Sequence, residues 1–259
     1  MLLLLDIGNT HTHFGWARGE KIIRPGVLPT ADWRAGRALA TLARAASGRG
    51  LTGVALCSVV PEATRQATRQ IERAWKLKPF PLTADTVRGI GIDYPAPRTI
   101  GPDRLANAIA ARACFGAPAV VVDFGTAVTF DVVNGRGDYV GGIIAPGLAA
   151  MTSYLHEKTA LLPEITIREV SGAVGKSTEQ AMLIGAVHGY RGLIRELIGK
   201  LKDELNCRRL PVVATGGYAK LMANKLPEIT AVDPLLTLKG LRLAWELDQK
   251  SKPQNPTFK

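Results

Sequence analysis

"LLLLDIGNTHTHFGW" (2–16) and "AVVVDFGTAVTFDVV" (119–133) are two copies of one pattern, about half a chain apart. In each, an apolar run ends in Asp-x-Gly, a small polar residue follows, and a second strand-like run begins. Aligned, Asp6-Ile7-Gly8-Asn9-Thr10 stands against Asp123-Phe124-Gly125-Thr126-Ala127. Each copy then meets a turn, "RGEK" (18–21) or "NGRGD" (134–138). Each returns in a third run, "IIRPGV" (22–27) or "YVGGII" (139–144). A repeat of this length predicts a duplicated unit that opens on a three-stranded meander.

Helical and strand patterns follow each meander. In the first half, "ADWRAGRALATLARAA" (31–46) has apolar residues at helical spacing, and "LTGVALCSVV" (51–60) reads as a strand. "PEATRQATRQIERAW" (61–75) starts on a proline, which suits the first helical position, and "PDRLANAIAARACF" (102–115) is an alanine-rich helix. In the second half, "TEQAMLIGAVHGYRGLIRELIGKL" (178–201) reads as one long amphipathic helix. "LPVVATGG" (210–217) is a strand running into a glycine turn, and "LLTLKGLRLAWEL" (235–247) is a closing helix. The alternation predicts a mixed α/β duplication, with domains at 1–117 and 118–259 and a boundary near Gly116 to Pro118.

The Asp-x-Gly turns have a chemical reading. Glycine lets backbone approach phosphate oxygens, and neighbouring N–H groups and Asn or Thr side chains donate hydrogen bonds to them. A strand-end aspartate can hold hydrated Mg²⁺, which prefers one or two carboxylates plus phosphates. The apolar run is then a rigid support, and the polar quartet is a phosphate and metal edge. One copy alone would be read as a capped hairpin; two copies favour a nucleotide site. "GAVGKST" (172–178) imitates a P-loop, but that motif needs a glycine where Val170 stands. It reads instead as a loop entering a helix, with Thr178 as the N-cap.

Composition narrows the class. The 259 residues carry a formal charge of +11 with no run of five basic residues, which fits a protein that attracts small anions rather than a nucleic-acid binder. Cys57, Cys114 and Cys207 are isolated, with no C-x-x-C pair, so a reducing cytoplasm is expected. No stretch approaches the roughly 18 apolar residues of a membrane span. His11 and His13 alternate, which puts them on one strand face, where two histidines alone make a poor zinc site. The tail "DQKSKPQNPTFK" (248–259) is polar, contains two prolines and reads as disordered.

The ordered set "DIGNT" (6–10), "GPDRLANA" (101–108), "VDFGTAVTFD" (122–131), "GGIIAPGL" (141–148), "GKSTEQAM" (175–182), "ATGGYA" (214–219) and "DPLLTLKGLR" (233–242) resembles the type III pantothenate kinases. These belong to the sugar kinase, heat-shock protein and actin superfamily. The resemblance covers nearly the whole chain. It implies an α/β fold of duplicated ribonuclease H-like (actin-like ATPase) domains with a central nucleotide cleft. It also implies ATP-dependent phosphorylation of the pantothenate 4′-hydroxyl, the first step of coenzyme A biosynthesis.

By the same resemblance Asp6, Ile7, Gly8, Asn9, Thr10, His11, Thr12 and His13 form the first phosphate loop, with Asp6 near Mg²⁺. Asp103 is the base. Gly101, Pro102, Asp103 and Arg104, with Tyr94 upstream, belong to the pantothenate site, and Thr178 is a further substrate contact. Thr126 contacts ATP. Asp123 holds a monovalent cation, K⁺ or NH₄⁺. Two departures stand out: the histidines after "DIGNT" bear on nucleotide affinity, and Pro102 replaces a common alanine at a position where a first-turn proline is tolerated.

The family implies a homodimer with pantothenate near the subunit interface. The 178–201 helix offers an apolar stripe for it: Met182, Leu183, Ala186, Val187, Tyr190, Leu193, Ile194 and Leu197. The alternatives are a regulatory or accessory protein of the same fold and a kinase of another small alcohol. The presence of Asp6, Asp103 and Asp123 argues against lost turnover. Nucleic-acid binding rests on net charge alone, and neither nucleic acid nor membrane is expected as a partner.

Overall fold

The computed structural model describes residues 1–46 and 50–252. The chain divides into two compact units, residues 1–114 with 235–259, and residues 115–234. The last seven residues of the tail, 253–259, lie outside the described residues.

The first unit opens on the expected meander: β1 (Leu2–Ile7), β2 (His11–Arg18) and β3 (Lys21–Pro29). Two helices follow, α1 (Ala31–Arg34) and α2 (Ala38–Ala46), where one was expected. Gly36 between them has φ +73, a left-handed conformation that ends the first helix and that glycine adopts without cost. Next come β4 (Gly53–Ser58), α3 (Pro61–Trp75), the two-residue strands β5 (Phe80–Pro81) and β6 (Gly91–Ile92), and α4 (Pro102–Phe115). The sheet order is β3-β2-β1-β4-β5. β1 runs antiparallel to β2 and parallel to β4.

The second unit repeats the plan. It has β7 (Ala119–Phe124), β8 (Ala127–Val133), β9 (Asp138–Pro146), α5 (Leu148–Lys158), α6 (Thr178–Ile184), α7 (Tyr190–Glu204), β10 (Val212–Thr215), α8 (Ala219–Ala223) and β11 (Ala231–Val232). Its strands run β9-β8-β7-β10-β11, the same order as in the first unit, with the same antiparallel and parallel pairings. The duplication read from the two Asp-x-Gly turns is therefore present in the topology, and the fold is a duplicated ribonuclease H-like α/β fold.

Burial explains both meanders. Leu3, Leu4, Leu5 and Ile7 are wholly buried, as are Val120, Val121 and Val122. On β1 the alternation sends Leu3, Leu5 and Ile7 into one core with Trp16, Trp33, Leu42, Val54, Leu56 and Ile71. Leu2, Leu4 and Asp6 therefore point to the opposite face. The second core gathers Val120, Val122, Phe124, Phe130, Tyr190, Ile194 and Val212.

Four further expectations change here. The 178–201 helix contains a π-helical turn over Gly185–Gly189 between α6 and α7. Its apolar stripe is not a free face: Met182, Leu183, Ala186, Val187, Tyr190 and Ile194 are buried, with Leu193 and Leu197 packed against the same core. The closing helix α9 (Leu236–Ser251) belongs to the first unit, not to the 118–259 half in which the sequence order placed it. It packs on β1, β2 and β4, and it carries Asp248 to Ser251 of the expected disordered tail in helical form.

α9 buries Leu236, Leu238, Leu241 and Ala244, and it also comes into close backbone contact with α4. A Cβ at Gly240 would stand 1.8 Å from the carbonyl oxygen of Ala106 on α4. Only glycine permits that approach. Among the described residues no helix is long and apolar enough to cross a membrane. Gly240→Ala is expected to cost about 3 kcal/mol by forcing two packed helices apart. Urea denaturation checks this, and an unchanged midpoint would contradict it.

Candidate active site

Asp6 stands at the penultimate position of β1, directly across from Cys57 of the parallel neighbour β4. The Cys57 thiol donates to Asp6 Oδ1 at 3.5 Å and is fully buried. Burial, then the charges of Asp6 and Asp103, push the thiol's pKa well up, so Cys57 stays protonated and serves as a donor. Asp6 thus touches the buried sulfur, and Asp103, 97 residues further along the chain, lies near enough for its charge to act on the same thiol.

The loop after Asp6 is braced from behind. Gly8 N–H donates to the His11 carbonyl at 3.0 Å. The Thr30 hydroxyl donates to the Gly8 carbonyl at 2.7 Å, and Thr30 N–H to the Thr10 carbonyl at 3.0 Å. Asn9 and Thr10 are exposed at the tip. Thr12 is not: it is wholly buried, pairs with the Thr30 hydroxyl at 3.1 Å, and accepts from Trp33 Nε1 at 3.2 Å. Ile7 is buried as well, with its carbonyl taking Val59 N–H at 3.2 Å. Of the expected phosphate loop, Ile7 and Thr12 present core side chains. Asn9, Thr10, His11 and His13 face outward, the last two on one side of β2. Partial desolvation and the neighbouring His11 lower the His13 pKa.

Asp103 lies in the first turn of α4, behind Pro102. Its Oδ1 accepts the backbone N–H of Arg104 at 2.9 Å. The Gly101 carbonyl receives Arg104 N–H at 3.0 Å and Leu105 N–H at 3.2 Å. A Cβ at Gly101 would stand 2.5 Å from Asp103 Oδ1, so glycine leaves the room that the carboxylate occupies. Burial raises the Asp103 pKa, outweighing the opposing pull of the Arg104 N–H and the Arg104 charge. Tyr94 is exposed upstream on the same unit.

The second unit repeats the carboxylate with other neighbours. Asp123 of β7 lies across from Thr215 of β10, the position that Cys57 holds in the first unit. Gly216 follows with φ +88, and a Cβ there would stand 2.5 Å from Asp123 Oδ1 and 2.7 Å from Phe124 N. Gly125 approaches from the other side of the turn, its added Cβ at 3.4 Å. Thr126 is exposed beside it, and Gly147, at the start of α5, sits where any side chain would overlap the Thr126 carbonyl. Gly216 of "ATGGYA" therefore brings backbone against Asp123, and Gly147 of "IIAPGL" brings it against the Gly125–Thr126 turn, roles that spacing alone did not reveal. Thr178 is exposed at the start of α6, but the N-cap is Ser177, whose hydroxyl accepts Gln180 N–H at 3.2 Å. No strand leads into residues 172–177, unlike a P-loop.

Among the described residues no three His, Cys, Asp or Glu side chains form a metal cage. A single strand-end carboxylate beside a glycine turn suits a divalent ion that arrives with nucleotide phosphates and keeps its water. The family model for type III pantothenate kinases matches residues 2–200.

The chain belongs to the type III pantothenate kinase family. A type III pantothenate kinase of Akkermansia muciniphila is 47% identical over 244 residues, covering 93% of this chain and 97% of its own length. That of Methylacidiphilum infernorum is 43% identical over 258 residues, covering 99% and 92%. Among solved structures, a Baf family transcriptional activator from Campylobacter jejuni superposes with a TM-score of 0.60 at 20% identity, covering 96% of this chain and 99% of that one. A 2-dehydro-3-deoxygalactonokinase protein from Sinorhizobium meliloti gives 0.60 at 14% identity over the full length of both chains. These two share the fold.

Asp103 gives a pH test. Its folded pKa lies above the unfolded value, so its stabilising contribution is complete below the ordinary carboxylate pKa and is lost as pH rises through the raised one. Asp103→Asn should therefore melt higher than the parent at pH 7, with the gain shrinking toward about pH 4. Calorimetry at the two pH values checks it; a lower melting point at pH 7 would contradict the burial argument.

Proposed function

We propose that this chain transfers the γ-phosphoryl group of ATP to the 4′-hydroxyl of pantothenate, opening coenzyme A biosynthesis in the cytoplasm. The observation that carries the reading is the match to this family over residues 2–200, with a strand-end Asp6 held against Cys57 and a buried Asp103 in the first turn of α4 in the same unit. A primary alcohol needs a proton acceptor as the phosphoryl group arrives. Asp103 fills that role, and its raised pKa keeps it basic enough to take the proton. Phosphoryl transfer depends chiefly on positioning and charge neutralisation, so the Asp6 end matters equally.

Asp6 would hold Mg²⁺, which neutralises phosphate charge when bound with ATP. Gly8, Asn9, Thr10, His11 and His13 line the phosphate edge, with Ile7 and Thr12 as its support. Asp123, crowded by the Gly125 and Gly216 backbones, would hold K⁺ or NH₄⁺, and Thr126 contacts ATP. Tyr94, Gly101, Pro102 and Arg104 are the pantothenate contacts proposed on the first unit, and Thr178 is a substrate contact proposed on the second. Arg104 can pair with the pantothenate carboxylate. The three free cysteines suit a reducing compartment.

We also propose a homodimer. The α6–α7 stripe is core, and the face of the proposed dimer is the exposed apolar side chains of α5 and the segment after it. Tyr154 is 61% and Leu161 89% exposed, with Met151 and Leu155 beside them on the helix. Sedimentation should give a dimer for the parent and a monomer for Tyr154→Asp with Leu161→Asp; a monomeric parent would refute the assembly.

A coupled ADP-release assay with pantothenate tests the activity. Release should require pantothenate and rise with K⁺ or NH₄⁺. Asp103→Asn should lose about 10²-fold or more in kcat while still binding ATP. ADP release unchanged by Asp103→Asn would remove the base role, and no release with pantothenate would remove the substrate.

A further inference from the structure

α9 touches both scaffolds that carry the proposed acidic pair. It packs on β1, the strand of Asp6, and on β4, the strand of Cys57, where Trp245 lies 3.0 Å from the position a Gly53 Cβ would take. It also locks onto α4, the helix of Asp103, at two adjacent points. Gly240 meets the Ala106 backbone closely enough to exclude any side chain. The Thr237 hydroxyl donates to Asn107 Oδ1 at 2.8 Å, with both residues buried.

Thr237 and Gly240 are three apart and share a face of α9; Asp103 and Asn107 are four apart and share a face of α4. The backbone contact sets how close the two helices lie. The hydrogen bond sets their register, because a polar group buried at 1% exposure tolerates little displacement from its donor. Four of α4's seven buried residues are alanines, with Leu105, Asn107 and Ile109 the larger ones, so close helix approach is possible along much of its length.

We propose that Thr237 and Gly240 of α9 are positioning residues, which set where α4 presents Asp103 relative to Asp6. This rests on the reading of Asp103 as the proton acceptor. A shift of about 1 Å at a reacting group can cost up to about 10²-fold in rate. The effect therefore falls on kcat rather than on the nucleotide KM.

The test uses the full chain with Thr237→Val, Thr237→Ser, Asp103→Asn and the Thr237→Val/Asp103→Asn double variant. Each is assayed well below its own melting temperature. Thr237→Val keeps the shape and removes the donor, so kcat should fall about tenfold or more with the ATP KM within about twofold. Thr237→Ser, which keeps the hydroxyl, should restore most of the rate. On the Asp103→Asn background Thr237→Val should cost nothing further. Parental kcat in Thr237→Val with only a lower melting temperature would overturn the inference, as would an undiminished effect in the double variant. Parental kcat in Asp103→Asn alone would instead overturn the base reading, and this inference with it.

Discussion

The first site depends on the register in which β1 lies against β4. That register is held by burial: Leu3, Leu4, Leu5 and Ile7 have no exposed surface, and a slip of one residue would exchange the two faces of the strand. Asp6 would then enter the core of Trp16, Trp33 and Leu56, where an ionised carboxylate is not tolerated. In the observed register Asp6 faces the side covered by α9 and meets the Cys57 thiol. The apolar run thus aims a carboxylate by making every other aim costly.

Duplication supplied the same carboxylate twice, and the surroundings then diverged. At the position across from Asp6 stands a thiol whose pKa is pushed up; across from Asp123 stands Thr215. Asp6 borders a loop braced by Thr30 and Thr12, with an exposed Asn9–Thr10 tip. Asp123 borders backbone, through Gly216 and Gly125. One strand-end carboxylate therefore lies beside an open, side-chain-braced loop and the other against backbone, and the different ions proposed for Asp6 and Asp123 rest on that difference.

Much of this was legible in the sequence because the signals were local. Two Asp-x-Gly turns, two meanders and the alternating elements follow from period and turn chemistry, and each reappears in the sheets. What was not legible depends on tertiary neighbours. Thr12 looks like any other polar loop residue, yet Trp33, 21 residues on, draws its hydroxyl into the core. The stripe from Met182 to Leu197 has the spacing of a helix face, and spacing does not say whether its own domain or a partner covers it. Ser177 rather than Thr178 caps α6 because caps shift by one residue without changing the pattern. The return of α9 to the first unit depends on packing against β1, β2 and β4, strands far away in sequence, and on a close approach at Gly240 that reads as one glycine in an ordinary helical run. Cys57 reads in sequence as an isolated thiol; aligning "VALCS" (54–58) with "VVAT" (212–215) after the two repeats points to its place beside Asp6.

The most direct measurement is a crystal structure of the protein with a non-hydrolysable ATP analogue, Mg²⁺ and pantothenate. The expected result places the pantothenate 4′-hydroxyl about 2.6–3.2 Å from an Asp103 carboxylate oxygen, with Asp6 in the hydration shell of the phosphate-bound Mg²⁺. A hydroxyl held by a different side chain, with Asp103 out of hydrogen-bond reach, would contradict the pairing of Asp6 and Asp103.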